Sequence, residues 1–106
     1  MPREASVREF GDALAKGAYA IDVRELDEYV EGHVPGIRLT PVSRFAEFVA
    51  DLPKDRPIYV ICRSGHRSSI VADYLTKKGF DAISVSGGTV DWINSGKPVD
   101  VGAEES

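Results

Sequence analysis

A single cysteine, Cys62, stands where a reactive thiolate is expected in an α/β protein. It follows the apolar run Ile58–Ile61 and precedes a polar turn that leads into a segment with helical periodicity. A lone cysteine is more often a small buried apolar side chain than a nucleophile. Ligands bind at the carboxyl ends of the strands in such sheets, so the position at the end of a predicted strand favours the nucleophile instead.

The turn after Cys62 has the composition of an anion-binding loop. Its residues are Arg63, Ser64, Gly65, His66, Arg67 and Ser68. Successive backbone N–H groups of such a turn, together with the amino terminus of the next helix, can surround a negatively charged sulfur. A free thiol is only about 3% ionised at pH 7, and lowering its pKa by about two units requires about 2.7 kcal/mol. A helix amino terminus and nearby arginines can supply stabilisation of that size. We therefore predict that this loop binds the thiolate and an anionic substrate, with the His66 ring facing either the substrate or water.

Short strands and helices alternate along the chain, and they must position this loop. The apolar patterns predict strands over residues 18–23, 37–39, 57–61 and 82–85 and helices over 6–17, 26–31, 42–52, 69–79 and 89–94. Alternation at this spacing predicts right-handed β-α-β units. The fold class is therefore α/β, with three layers in which helices cover both faces of a mostly parallel sheet. We expect one domain over residues 1–99 and a flexible carboxyl-terminal tail over residues 100–106.

Composition limits the classes of function that the chain can serve. Apolar residues make up 42% and charged residues 28% of its 106 positions, and the net charge is −4. An acidic balance argues against a general affinity for nucleic acid or an anionic membrane. The sequence has no signal-peptide pattern and no apolar run of about 18 residues, so we expect a cytoplasmic location. One cysteine and two histidines offer no zinc-ligand spacing, so we expect no metal, and a monomer is the default for so small a chain.

With these motifs in view, the chain resembles the rhodanese family from about residue 6 to residue 99. Three blocks, in the family's order, carry the resemblance. They are Ile-Asp-Val-Arg-Glu at 21–25 with Glu28-Tyr29 and Gly-His-Val-Pro-Gly at 32–36, the loop at 62–68, and Gly87-Gly88 with Trp92 and Gly-Lys-Pro at 96–98. The sequence departs from the family pattern at Ile37 and Leu39, where we expect only a change in local packing.

The resemblance implies a five-stranded parallel sheet and a sulfurtransferase that needs no cofactor. In this family the cysteine thiolate takes a sulfane sulfur from a donor, holds it as a persulfide and passes it to an acceptor. Carried over by position, Cys62 is the catalytic residue and residues 63–68 bind the substrate. Arg67 would assist an anionic donor such as thiosulfate.

Three further positions are placed around the pocket by the same resemblance. Asp22 and Arg24 match an Asp-x-Arg signature at the pocket edge, where we prefer a mutual ion pair that braces the strand end. Trp92 would wall the pocket mouth, although an aromatic residue in a short amphipathic helix more often belongs to the core. His33 is expected to shape its turn rather than to touch sulfur.

Donor, acceptor and two alternative functions stay open at the level of sequence. The donor is thiosulfate, a mercaptopyruvate-like compound or a protein persulfide from a cysteine desulfurase. The acceptor is cyanide or a thiol such as glutathione or thioredoxin, and it must be external because the chain has no second cysteine. Related phosphatases have a loop one residue longer than the four residues between Cys62 and Arg67, which disfavours a phosphate ester as substrate. A partner-binding or sulfur-carrier module without turnover is the other alternative.

Overall fold

A five-stranded parallel sheet forms the centre of the computed structural model, which describes residues 3–104. The strands are β1 (Arg3–Ala5), β2 (Tyr19–Asp22), β3 (Arg38–Leu39), β4 (Ile58–Ile61) and β5 (Ala82–Val85). Their order across the sheet is β1-β5-β4-β2-β3, and every neighbouring pair is parallel. The predicted α/β class with a parallel sheet is confirmed.

Helices cover both faces of the sheet and create two apolar cores. The helices are α1 (Val7–Ala15), α2 (Leu26–Glu31), α3 (His66–Lys77) and α4 (Gly88–Asn94), and two 3₁₀ segments occupy Val42–Glu47 and Val49–Asp51. On one face, Val71, Ala72 and Leu75 of α3 pack against β2 and β4. On the other face, Phe10 of α1, Tyr29 of α2 and Trp92 of α4 pack together. No helix among residues 3–104 is long and apolar enough to cross a membrane.

The carboxyl ends of the three central strands meet at one edge of the sheet. The backbone N–H of Val23, just after β2, donates to the carbonyl of Ile61 at the end of β4 (3.0 Å). Asp22 pairs in register with Ile61, and Val60 pairs with Ser84 of β5. The residues that follow these strands therefore lie side by side, with Cys62 after the central strand β4.

Residues 42–52 form two 3₁₀ segments where the apolar pattern predicts an α-helix. The backbone of Arg44 leaves helical geometry (φ −126°, ψ 21°), which interrupts the first segment. The apolar residues Val42, Phe45 and Phe48 recur every three positions, which is the period of a 3₁₀ helix. The α-helix prediction is therefore wrong here, although Phe45 and Val49 do pack against the core as expected.

Both ends of the described chain pair with the body of the domain. Strand β1, at the edge beside β5, has two exposed polar residues and no apolar pattern, so local sequence did not predict it. At the other end, Asp100 and His33 exchange two backbone hydrogen bonds of 2.9 Å, and the N–H of Gly102 donates to the carbonyl of Val30 (2.9 Å). The segment expected to be a loose tail is thus hydrogen-bonded at residues 100 and 102, and its last two residues, 105 and 106, lie outside the described residues.

Candidate active site

The sulfur of Cys62 lies beneath the loop that joins β4 to α3. Its side chain is 1% exposed and packs on the α3 side of the sheet. The N–H of Gly65 donates to the sulfur at 3.1 Å, and the Ser68 hydroxyl lies 3.5 Å from it. Gly65 caps α3 with a positive φ of 107°, a conformation that other residues rarely adopt. The loop therefore curls back over the sulfur and directs its amides inward.

Helix α4 fixes the opposite side of the loop backbone. The N–H and the hydroxyl of Thr89 both donate to the carbonyl of Cys62 (2.9 Å each), and the N–H of Val90 donates to the carbonyl of Arg63 (3.0 Å). These bonds hold two loop carbonyls toward α4. A Cβ atom on Gly88 would lie only 2.5 Å from each of these carbonyl oxygens, so the close approach of α4 requires glycine at this position.

Two buried serines support the sulfur from inside the domain. The Oγ atoms of Ser68 and Ser84 are 2.8 Å apart, and Ser68 also donates to the carbonyl of Gly65 at 3.2 Å. Both serines are fully buried. Because the hydroxyl of Ser84 can donate to Ser68, the Ser68 proton can turn from the Gly65 carbonyl to the sulfur when the thiol ionises.

These contacts stabilise the Cys62 thiolate. Burial raises the pKa of the Cys62 thiol, but hydrogen bonds from the Ser68 hydroxyl and from the amides of Ser68, Gly65 and Ser64 lower it. The balance leaves the pKa of Cys62 below its ordinary value. A larger fraction of the protein therefore carries the nucleophilic form near neutral pH.

An open cleft of about 360 Å³ lies next to the loop, between α2 and α4. Arg63 lines it from the loop and Arg24 from the segment after β2. Glu28 lines it from α2, and Thr89 and Val90 line it from α4. Within the described residues, neither Arg63 nor the other lining carboxylate, Glu31, forms an ion pair. Small molecules can approach the loop through this cleft.

The second loop arginine, Arg67, is bound to a carboxylate of helix α2. Its Nη1 and Nη2 atoms each donate to one carboxylate oxygen of Glu28 at 2.7 Å. This pair lowers the pKa of Glu28 to about 2 and raises the pKa of Arg67. A planar guanidinium that makes two parallel hydrogen bonds of this length is firmly held.

Similarity to known proteins agrees with this geometry. A family model described as a rhodanese-like domain matches residues 6–95. The chain belongs to the rhodanese-like family.

Individual relatives of this rhodanese-like domain cover most of its length. It is 40% identical over 80 residues to the putative sulfurtransferase YtwF of Bacillus subtilis (strain 168), which is 76% of this chain and 78% of that protein. It is 33% identical over 90 residues to the thiosulfate sulfurtransferase GlpE of Stutzerimonas stutzeri (strain A1501), covering 84% of this chain and 82% of the relative. The crystal structure of a rhodanese-related protein from Thermoplasma volcanium superposes with a TM-score of 0.88 at 29% identity over 94% of this chain and 99% of that one.

The rhodanese-like loop brings together most of the residues predicted to bind substrate. The amides of Ser64, Gly65 and Ser68 act on the sulfur. The side chains of Arg63, Ser64 and His66 are exposed around it. The role of each residue toward a substrate stays a prediction.

Asp22 and Arg24 form a buried ion pair in the interior beside the cleft. Two guanidinium nitrogens of Arg24 donate to the Asp22 carboxylate at 2.8–3.1 Å, and Nη2 also donates to the carbonyl of Gly32 at 2.9 Å. Asp22 is fully buried and Arg24 is 5% exposed. This arrangement is the bracing pair that the sequence favoured, although Arg24 also lines the cleft.

Trp92 does not wall the pocket mouth. Its ring contacts Phe10 with ring centroids 5.6 Å apart, and its Nε1 donates to the carbonyl of Pro98 at 2.8 Å. It belongs to the apolar core on the α1 side, and the cleft-facing residues of α4 are Thr89, Val90 and Ile93. Trp92 thus takes the core position that the sequence analysis gave as the more frequent one, because the apolar face of α4 turns toward α1.

Sequence reasoning about the site missed Glu28, Ser84 and Thr89. Ser84 left a signal, since it is a polar residue within an otherwise apolar strand. Glu28 stands in the first family block, but nothing local links it to Arg67, which is 39 positions away. No group of three metal-binding side chains occurs among the described residues.

Proposed function

We propose that this protein is a sulfurtransferase that carries a sulfane sulfur as a persulfide on Cys62. The observation that carries this proposal is the loop geometry at the Cys62 sulfur, where the Gly65 amide donates at 3.1 Å and the Ser68 hydroxyl lies 3.5 Å away. Such a set of donors stabilises negative charge on sulfur, both in the resting thiolate and in the persulfide. The relatives named sulfurtransferase and thiosulfate sulfurtransferase support the same reaction class.

We propose thiosulfate as an assay donor for the first half-reaction. The Cys62 thiolate attacks the outer sulfur of thiosulfate, a sulfur–sulfur bond forms to Cys62, and the bond between the two donor sulfurs breaks. Sulfite leaves with the electron pair of the broken bond. Charge is conserved, because a thiolate and a dianion become an anionic persulfide and a sulfite dianion. No proton, metal or external redox agent is required.

The second half-reaction needs an acceptor from outside the chain. The acceptor attacks the outer sulfur of the persulfide, and the Cys62 thiolate is the leaving group. We propose cyanide as an assay acceptor, which yields thiocyanate, and a thiol of glutathione or thioredoxin as a cellular one. Lowering the pKa of Cys62 also helps here, because a weaker base leaves more readily.

Mass spectrometry tests the proposal directly. After incubation with thiosulfate and removal of excess donor, intact protein should gain about 32 Da, the mass of one sulfur atom, at Cys62. Cyanide should then remove the added mass and release thiocyanate. Cys62→Ala should show neither event while retaining the circular dichroism spectrum of the wild type.

Failure to load sulfur from thiosulfate, a thiosulfonate or a desulfurase persulfide would rule out the proposed function. A partner-binding module would then be the better interpretation. Loading without release to any acceptor would instead favour a sulfur carrier.

A further inference from the structure

The charged groups around the cleft are arranged so that most of them cancel. Arg24 is paired with Asp22, and Arg67 is paired with Glu28. The remaining charges that line the cleft are one arginine, Arg63, and one glutamate, Glu31. A site built for a small dianion is expected to carry excess positive charge. This cleft has none among the described lining residues and their ion-pair partners.

The ion pair with Glu28 neutralises the positive charge that Arg67 would otherwise give the loop. Arg67 follows Cys62 by five positions in the same loop; Glu28 and, to a smaller extent, a Cys62 thiolate raise the pKa of its guanidinium. The guanidinium nevertheless gives two of its hydrogen bonds to Glu28, at 2.7 Å each. The two side chains are 33% and 30% exposed, so water does not fully screen this attraction.

Helix α2 holds Glu28 in place for this contact. The N–H of Glu25 donates to Oε1 of Glu28 at 3.2 Å, as part of a capping box at the start of α2. The Oε1 atom of Glu28 therefore accepts bonds from both the helix cap and Arg67. Such a side chain keeps one rotamer, which makes the pair with Arg67 a fixed part of the site.

We infer that Glu28 is a specificity-determining residue, which withholds the positive charge of Arg67 from the donor and so disfavours dianionic donors relative to singly charged ones. The inference rests on the proposed sulfur transfer and concerns the donor that loads Cys62. Thiosulfate carries two negative charges and is repelled by Glu28 twice as strongly as a monoanion. Singly charged sulfane compounds, such as thiosulfonates and alkyl persulfides, are the favoured class.

Two donors that differ in charge test this inference. Thiosulfate and methanethiosulfonate both transfer their outer sulfur to a thiolate, and they release sulfite and methanesulfinate, respectively. With cyanide as acceptor, thiocyanate formation gives kcat/KM for each donor. Glu28→Gln removes the negative charge but keeps a carbonyl oxygen for the helix cap. We expect the thiosulfate-to-methanethiosulfonate ratio of kcat/KM to rise about fivefold, because the loss of this negative charge leaves the positive charge of Arg67 uncompensated near the donor. The change should lie mainly in KM.

Two controls separate the proposed pair from other effects. Glu31→Gln removes one negative charge from the same helix and the same cleft, but Glu31 has no arginine partner among the described residues. The substitution therefore releases no arginine, and the ratio of kcat/KM values should rise less than half as much as in Glu28→Gln. The double variant Glu28→Gln with Arg67→Gln replaces the ion pair by two uncharged side chains, so the net charge at these positions stays zero. Its ratio should return to within about twofold of the wild-type value.

An unchanged ratio in Glu28→Gln would overturn the inference, as would an equal rise in Glu31→Gln. A double variant that stays as high as Glu28→Gln would also contradict it, since the released Arg67 would then have no part in the effect. Intact mass separates these results from failure of the function itself. If neither donor adds sulfur to the wild type, the proposed transfer and this inference fall together.

Discussion

At the scale of single residues, the central question is how a thiol that is 1% exposed remains a nucleophile. Burial alone would make it inert, because a charged sulfur is unfavourable in an apolar interior. The loop solves this by replacing water with fixed donors, among which Gly65 lies at 3.1 Å and Ser68 at 3.5 Å. Ser68 is itself held by Ser84, so its hydroxyl stays at the sulfur.

Ser68→Ala should raise the pKa of Cys62. The folded protein favours the thiolate in part through the Ser68 hydroxyl, so losing it shifts ionisation to higher pH. A hydrogen bond to a charged group is worth about 1.5–3 kcal/mol, which is about one to two pKa units. Sulfur loading at pH 7 should therefore slow by roughly tenfold or more and recover as pH rises. The measurement is the pH profile of the loading rate.

The adjacent Ser69→Ala is the matched control for that profile, since its hydroxyl is not among the groups that act on the sulfur. Its pH midpoint should equal that of the wild type. An identical midpoint in Ser68→Ala would mean that the backbone amides alone set the pKa of Cys62.

At the scale of elements, helix α4 shapes the active loop without contributing an atom to the sulfur. It binds the carbonyls of Cys62 and Arg63 through Thr89 and Val90. Carbonyls held toward α4 cannot turn toward the thiolate, where they would repel it. Gly88, which precedes these residues, allows the helix to start in contact with the loop backbone.

Gly88→Ala should therefore displace the loop from α4. The new Cβ would lie 2.5 Å from the two loop carbonyl oxygens, and φ at this position is +57°. We expect loss of most sulfur loading and a free energy of unfolding lower by about 2 kcal/mol or more. Gly96→Ala is the control, because its φ is similar (+77°) and no heavy atom lies within 4 Å of its Cβ position. Equal effects of the two substitutions would contradict the proposed role of the contact.

At the scale of the whole molecule, two apolar cores hold the helices against the sheet and thus fix the strand ends. Phe10 joins three elements, because its ring lies 5.6 Å from those of both Tyr59 on β4 and Trp92 on α4. It is fully buried. Stability of the distant loop therefore depends on this contact between α1 and α4.

Phe10→Ala should lower the free energy of unfolding by about 3–5 kcal/mol, because it leaves a cavity in the smaller core. Urea denaturation followed by circular dichroism and by the fluorescence of the single tryptophan measures it. Leu26→Ala, at a site that is 51% exposed, should change stability by less than about 0.5 kcal/mol. A loss below about 1 kcal/mol in Phe10→Ala would show that the core repacks around the gap.

Local sequence pattern was sufficient to predict the elements that carry the nucleophile. The apolar run before Cys62 and the helical spacing after it define a strand, a turn and a helix. Their order places the thiol at the carboxyl edge of a parallel sheet. The prediction failed where the signal was weak or ambiguous, as for the short polar strand β1 and for the three-residue apolar period of residues 42–52. The spacing of apolar residues within a short segment sets which of its faces can be buried, which is why local patterns reveal helices and strands.

Only the tertiary structure decided which side chains meet at the thiol. The strand order places the segment after β2 beside the loop after β4, and this brings Glu28 to Arg67. The same packing turns Trp92 into the core and sets Ser84 behind Ser68. These contacts join positions far apart in the chain. They depend on the order and orientation of whole elements, which no local periodicity encodes. The amino-acid sequence by itself thus determined the fold class and the reactive residue, whereas packing between elements decided the charge and the support around it.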